Sequence, residues 1–372
     1  MSKILFLIRT LRIGGAEHVL VNVANRMTEK GFSITVQTLL DDGNYRNLLH
    51  PKVQYRPGLR TNSSLLRKIV MKLFYILPPW ILGRALIPRG YTHLVAFVEG
   101  LPTKVIFGCP QNHVKKVAWI HTDLSTNTDT IDIFGTCGRY GKAYQAFDQI
   151  LCVSNEAKVG FVRKVGEHRA LDVQHNPIDK DVIIRKSQEV PAYLIPKSQV
   201  FRIVALGRLV KVKGFDLLIE AMAKVIRSID KKVELYIIGG GAEESALKRL
   251  IEEYQLQNTV YLCGQQTNPY SIMRQCDMQV LSSRAEGYPL ALCEGHFLGL
   301  PAVSTRCTGP TEIIEASRGG ILVELSADGL ADGIIEMISN GAQFDTYRKN
   351  VKNWADRYSV DEVYAQIEAR FS

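Results

Sequence analysis

The chain repeats one pattern along its length: a short apolar run, a turn, then a stretch whose apolar residues recur at helical spacing. Runs this short are strands, and strands alternating with helices imply a parallel sheet covered on both faces. Lys3–Ile8 opens the series with the continuous apolar character of a strand buried on both sides. Residues 17–30 follow as a helix with Val19, Leu20, Val23, Ala24 and Met27 on one face. Gly31 ends that helix and 32–40 is the next strand, with further strands expected at 93–98, 116–120 and 149–153.

Between Asn176 and Val200 the prolines at 177, 191 and 196 and their polar neighbours read as a linker. The alternation then restarts with a strand at 202–206. It continues through helix 214–228, strand 233–238, helix 243–255, strand 259–262, helix 269–275, strand 278–281, helix 290–299 and strand 301–304. Residues 319–323 add a short strand, and 360–371 a last amphipathic helix. The expected architecture is α/β: two doubly wound, Rossmann-like domains facing each other across a cleft. Their expected bounds are 1–185 and 186–358, with helix 359–372 packing back toward the first domain. A length of 372 residues is ample for two cores.

The seven cysteines are scattered with no Cys-x-x-Cys pair, which excludes a zinc ribbon or a disulfide framework and suits a reducing compartment. No run approaches the ~20 apolar residues of a membrane span. The net charge of +9 suggests a negatively charged partner. Its most telling concentration is at 64–89, SLLRKIVMKLFYILPPWILGRALIPR, where Arg67, Lys68, Lys72, Arg84 and Arg89 alternate with apolar residues and no acid occurs. Pro78-Pro79 divides it into two short helices. Such a segment suits the surface of a membrane, although a pair of packing helices with solvated charges would have the same composition. The expected location is cytoplasmic, peripheral on the inner face of the cytoplasmic membrane.

The chemistry concentrates in a few places. In Glu286-Gly-Tyr-Pro-Leu-Ala-Leu-Cys-Glu294 seven residues separate two carboxylates. The chain turns through Gly287 and Pro289, and a helix starting at Leu290 would offer free amides to an anion. Glu294, about one turn in, could accept hydrogen bonds from both hydroxyls of a ribose. An unpaired acid in so apolar a run is costly, so Glu294 should have a partner. Arg208 and Lys213 follow the strand 202–206 and supply charge for a diphosphate. Gly14-Gly15 stands between strand and helix, where it allows a phosphate or a sugar ring close to the backbone, or simply a tight turn. These groups suit a nucleoside diphosphate joined to a sugar. Asp179-Lys180-Asp181 has the form of a divalent-cation motif but lies in the junction between domains, and no metal is expected. Gly239–Gly241 lacks the spacing of a dinucleotide fingerprint.

The set and its order resemble the retaining nucleotide-sugar glycosyltransferases of family 4, which have the two-domain GT-B fold. The markers are Gly14-Gly15-Ala16-Glu17, His121, Gly207-Arg208-Leu209 with Lys213-Gly214, Gly239-Gly240-Gly241, the Glu286/Glu294 pair and Gly309-Pro-Thr-Glu-Ile-Ile314. The resemblance covers nearly the whole chain. It implies His121, Arg208, Lys213 and Glu286 as catalytic residues, with Glu286 on hydroxyls of the donor sugar and His121 near its ring. It implies Gly14, Gly15, Gly207, Gly241, Gly287, Tyr288, Pro289, Leu290 and Glu294 as substrate-binding residues. The stretch 260–264 with Asn268-Pro269-Tyr270 matches the seat of the base. Asp123 could contact the acceptor or cap a helix. The implied reaction is metal-independent and cofactor-free transfer of a hexosyl or N-acetylhexosaminyl group, with retention. The donor is a nucleoside diphosphate sugar, UDP-sugar being favoured and GDP-mannose left open. The acceptor is a lipid-linked or lipopolysaccharide glycan, and no nucleic acid is involved. The alternatives are a nucleotide-sugar epimerase or phosphorylase of the same fold, or a non-catalytic scaffold for glycan assembly.

Overall fold

The computed structural model describes residues 2–61, 63–111, 113–125, 137–191 and 200–372, with the backbone alone at 137–140. The chain forms two units, Met1–Pro177 with Asp361–Ser372, and Ile178–Val360.

In the first unit the strands are Lys3–Ile8 (β1), Ser33–Thr38 (β2), Gln54–Arg56 (β3), His93–Ala96 (β4), Lys115–Ile120 (β5), Gln149–Cys152 (β6) and Leu171–Val173 (β7). They form one parallel sheet in the order β3-β2-β1-β4-β5-β6-β7. The inner strand β1 pairs Phe6 with Val36 on one side and with Val95 on the other, and Ile4–Ile8 are all buried. That double burial is why β1 reads as an unbroken apolar run. Helix Gly15–Glu29 buries Val19, Leu20, Val23, Ala24 and Met27, and Gly31, at φ 93°, turns the chain back into β2.

Helix Val360–Phe371 completes this unit. Phe371 is fully buried, its ring edge-on to Phe6 at 6.1 Å and to His93 at 5.4 Å. Two ion pairs hold the helix at its ends, Arg26–Asp361 at 2.6 Å and Arg370–Asp172 at 2.8 Å.

Helix Ser64–Ile76 has no buried residue, so packing alone does not hold it. It is held ionically instead. Ser63 caps it by accepting from Leu66 N at 3.3 Å, and Arg67 pairs with Asp42 at 2.6 Å. At its far end Lys104, itself buried, donates to the carbonyls of Phe74 and Tyr75 at 3.1 and 2.7 Å. A cation on orphan carbonyls also favours the helix dipole. Pro79–Leu86 is a second helix, bent 118° from the first. No single helix among the described residues is long and apolar enough to cross a membrane; this bent pair passes by length and composition together.

The second unit holds Phe201–Leu206 (β8), Val233–Ile238 (β9), Val260–Leu262 (β10), Met278–Leu281 (β11), Ala302–Thr305 (β12) and Gly320–Val323 (β13), all parallel, in the order β10-β9-β8-β11-β12-β13. Alternate residues of β8 serve opposite cores. Phe201, Ile203 and Ala205 pack with helices Phe215–Ser228 and Ala327–Ser339. Val204 packs with Tyr270–Met273, Leu290–Phe297 and Pro310–Ser317.

Three sequence expectations need correction. The units divide at 177/178, not at 185/186, because Ile178 and Ile183 lie in the second unit's core and Lys180 donates to the Ala355 carbonyl at 2.8 Å. The stretch read as a linker contains helix Lys180–Ser187, started by Asp179, whose carboxylate accepts from Val182 N at 2.9 Å; Pro196, at 192–199, lies outside the described residues. Helices Ala327–Ser339 and Gly341–Arg357 were not read at all. The capping role of Asp179 also gives the Asp-x-Asp sequence a structural reason. Among the described residues no cluster of three or more His, Cys, Asp or Glu side chains is arranged to hold a metal.

Candidate functional site

In a doubly wound sheet ligands bind at the carboxyl ends of the strands where the winding reverses. In the second unit that point lies between β8 and β11, and the polar residues singled out above gather there. The chain leaves β8 through Gly207 and Arg208 and leaves β11 through Ser282 and Ser283. Lys213 Nζ donates to Glu286 Oε1 at 2.5 Å, and the Ser283 hydroxyl donates to the same oxygen at 2.6 Å. Both charged side chains are mostly covered, 19% and 11% exposed. Arg208 is exposed and has no ion-pair partner among the described residues. Its guanidinium is available to an anion.

The loop carrying these cations is clamped. Arg284 binds both oxygens of Asp216, at 2.8 and 2.9 Å, and donates to the Lys211 carbonyl at 2.7 Å. Lys211 adds a bond to Asp216 at 3.0 Å. Burial works against the Asp216 carboxylate, but the Arg284 and Lys211 bonds outweigh it and hold its pKa down to about 2. Gly214, at φ 65°, lies against the Ser282 carbonyl where any Cβ would collide, and the Ser282 hydroxyl donates to the Lys213 carbonyl at 2.9 Å. Residues 208–214 are thereby fixed to the end of β11.

Gly239–Gly241 serves the same loop from the other side. Leu209 N donates to the Gly240 carbonyl at 3.0 Å, and a Cβ on Gly241 would strike the Leu209 backbone. The glycine run thus has a packing reason, and Gly241 enters the site through Leu209.

Glu294 lies on helix Leu290–Phe297, whose residues from Leu292 onward are all buried. The partner required by its burial is Tyr270, whose hydroxyl donates to Glu294 Oε1 at 3.0 Å. Burial raises the carboxyl to about 7 despite that bond. Oε2 has no protein donor among the described residues. The helix begins after Pro289 without a side-chain cap, so its first amides are open to an anion. Gly287, Tyr288 and Pro289 form the turn into it, and Gly309, at φ 84°, approaches the Gly287 carbonyl where a side chain would not fit.

In the first unit the winding reverses between β1 and β4. Gly14 precedes helix Gly15–Glu29, and a Cβ added there would meet the Glu17 carboxyl group. Beside β4, His121 directly follows β5, its ring 4.8 Å from Phe97 and 6.1 Å from Trp119. Burial pushes the imidazole down to about 3, so it is neutral at physiological pH. Its Nε2 is buried without a hydrogen-bond partner among the described residues, a costly state that a ligand would relieve. Glu99, at the end of β4, accepts from His121 N at 2.9 Å and from the Thr122 hydroxyl at 2.6 Å. Sequence reasoning missed Glu99; an acid directly after an apolar strand and before Gly100 was its available signal. Asp123 is buried and accepts from Ser125 N and its hydroxyl, at 2.8 and 2.7 Å.

Residues 188–354 match the family described as Glycosyl transferases group 1. The chain is 27% identical over 265 residues to the poly(ribitol-phosphate) alpha-N-acetylglucosaminyltransferase of Staphylococcus aureus, covering 69% of this chain and 51% of that protein. It therefore spans about half the length of that relative. It is 25% identical over 329 residues to the lipopolysaccharide core biosynthesis glycosyltransferase LpsD of Rhizobium meliloti, covering 86% of this chain and 84% of that one. Anabaena HepE, solved with UDP and glucose, has the same fold, with a TM-score of 0.78, 20% identity and coverage of 100% and 99% of the two chains. Residues 188–354 thus resemble the group 1 glycosyl transferases, and the chain has the GT-B fold.

Proposed function

We propose that the protein transfers a hexosyl or N-acetylhexosaminyl group from a nucleoside diphosphate sugar to a membrane-associated glycan acceptor, with retention and without a metal. The observation that carries this reading is the convergence of Arg208, Lys213 and Glu286 at the ends of β8 and β11, beside the open amides of helix Leu290–Phe297. A departing diphosphate gains charge as the glycosidic bond breaks. Arg208, Lys213 and the helix amides are donors already in place to receive it. The ammonium of Lys213 has three donors and Glu286 takes one. Glu286 is thus held beside the cation, where it can accept from hydroxyls of the transferred sugar.

Glu294 would take the ribose, both hydroxyls donating to its carboxylate. Tyr270 fixes the group, and base recognition would fall to 260–264 and 268–270. UDP is favoured, since HepE is solved with UDP and glucose. The orphan Nε2 of His121 would meet the sugar near its ring, and Gly14-Gly15 would admit the acceptor or the phosphates. The leaving phosphate oxygen would accept the proton of the attacking hydroxyl on the same face of the sugar, so no second carboxylate pair is needed.

Membrane contact is assigned to Ser64–Leu86. Leu65, Ile76 and Trp80 are 65%, 66% and 63% exposed, alongside Leu66, Ile69 and Leu73. Uncovered apolar groups among basic residues suit an anionic lipid surface. The relatives named for poly(ribitol-phosphate) and lipopolysaccharide core synthesis support a cell-surface glycan as acceptor.

The test is release of UDP from UDP-sugars by purified protein with a lipid-linked acceptor. Arg208→Ala is expected to lower turnover by ~10²–10³-fold with thermal melting unchanged, because Arg208 is exposed and makes no ion pair among the described residues. Near-normal turnover in that variant would sink the reading.

A further inference from the structure

A hollow of about 290 Å³ opens in the first unit, after the carboxyl ends of β1, β2 and β3, and neither Gly14, Gly15 nor His121 lines it. Its charged walls are Arg12, Asp41, Asp42, Arg46, Arg60 and Arg67. Asp42 Oδ2 accepts from both Arg12 and Arg67 at 2.6 Å. Arg46 lies 3.3 Å from Asp41 Oδ1, which also accepts from the Tyr55 hydroxyl at 2.8 Å. Arg60 is exposed and has no ion-pair partner among the described residues. Four guanidinium groups thus face two carboxylates, and two positive charges stay uncompensated.

The bond to Arg12 is the main reason Asp42 lies below the usual carboxylate range, aided by Arg67 against the effect of burial. Asp42 is therefore ionised at neutral pH, and it holds two guanidinium planes in place before any ligand arrives. All four cations are arginine, whose planar fork matches two oxygens of a phosphoryl group. The residual charge matches a phosphate dianion. Arg67 also belongs to helix Ser64–Ile76, whose apolar side chains are uncovered. The hollow therefore opens beside the segment assigned to the lipid surface.

We propose that this hollow binds the phosphoryl or diphosphoryl group of a membrane-borne acceptor, fixing its head group while the sugar end is glycosylated. The inference rests on the membrane-borne acceptor proposed above, and it adds a phosphorylated class of acceptor and a site for it. The shared chemistry is a phosphate on a lipid, carried either by a polyprenyl diphosphate or by a bulk phospholipid.

The protein saturated with UDP, so that the donor site is filled, is titrated with inorganic pyrophosphate in a calorimeter. Binding is expected, at least tenfold weaker in Arg60→Glu and largely restored in Arg60→Lys; equal binding by wild type and Arg60→Glu overturns the proposal. In a second arm, phosphatidylcholine vesicles carry either a polyprenyl diphosphate or the same fraction of phosphatidylglycerol. Arg60→Glu is expected to lose binding to the first far more than to the second. Equal loss on both overturns the assignment to the acceptor and gives the hollow to bulk lipid. Neither arm requires turnover. Failure of sugar transfer with pyrophosphate binding intact would therefore strike the proposed function and leave the phosphate site standing.

Discussion

Helices Ser64–Ile76 and Leu290–Phe297 are both short and rich in leucine, yet they have opposite fates. The first has no buried residue; the second buries everything from Leu292 to Phe297. Charge separates them. The first carries Arg67, Lys68 and Lys72 among its apolar residues and is pinned at its ends by Ser63, Asp42 and Lys104. The second carries one acid, Glu294, which stays inside because Tyr270 hydrogen-bonds it and because it ionises only near pH 7. Apolar content alone therefore does not say where a helix goes. The ionic groups decide which apolar surface is used for folding and which is left for a partner.

Leu292→Ala should open a cavity in the second core and cost about 2–5 kcal/mol, read by urea denaturation. The loss of a mere 0.5 kcal/mol would mean that the buried helix contributes no more than an exposed one.

Glu294→Gln should remove a pH dependence of stability. In the folded chain the carboxyl ionises near 7, whereas its ordinary value is 4.5. Between those values the folded form keeps a proton that the unfolded form has lost. Stability therefore falls as pH rises through this window and stays lower above it, by on the order of 3 kcal/mol. Glu294→Gln should flatten that slope in melts taken from pH 5 to 8. Donor binding should run the other way in wild type, tightening several-fold from pH 6 to 8, because ribose hydroxyls donate to the ionised carboxylate. A flat wild-type profile would contradict both statements.

Lys104→Met removes two hydrogen bonds to the end of helix Ser64–Ile76, each worth about 1 kcal/mol. Amide exchange should accelerate at 73–77 while the sheet stays protected. Smallest in stability is Ile69→Glu, within ~0.5 kcal/mol, yet it should abolish binding to anionic vesicles. A large drop in stability would show that this face is covered by the protein itself.

Much of the architecture was legible because β1, β9 and β11 are short, mostly apolar runs and helix Val360–Phe371 buries Tyr364, Ile367 and Phe371 at helical spacing. Helix Gly341–Arg357 was missed although Phe344, Tyr347, Val351 and Trp354 recur at helical spacing and Phe344, Tyr347 and Trp354 pack against the cores; most of its other residues are polar, and only Val351 and Ala355 are fully buried. Helix Lys180–Ser187 was hidden by the prolines around it. At the site, residue types were readable but not pairings. The need of Glu294 for a partner followed from its apolar surroundings, while the choice of Tyr270 depends on helix packing that no spacing encodes. Glu99 was missed for the same reason: its contacts with His121 and Thr122 join two strands that are neighbours only in the sheet. The arginine hollow gathers residues from Arg12 to Arg67 that share no motif.

The chain visits its first unit twice, and Phe371 lies against Phe6 and His93 in the interior. On the ribosome the segment up to Pro177 must therefore wait, with a gap in its core, while residues 178–360 are synthesised. Only then does the missing aromatic ring emerge to fill it. Loss of residues 361–372 would be felt in the core that β1 and β4 build, far away along the sequence.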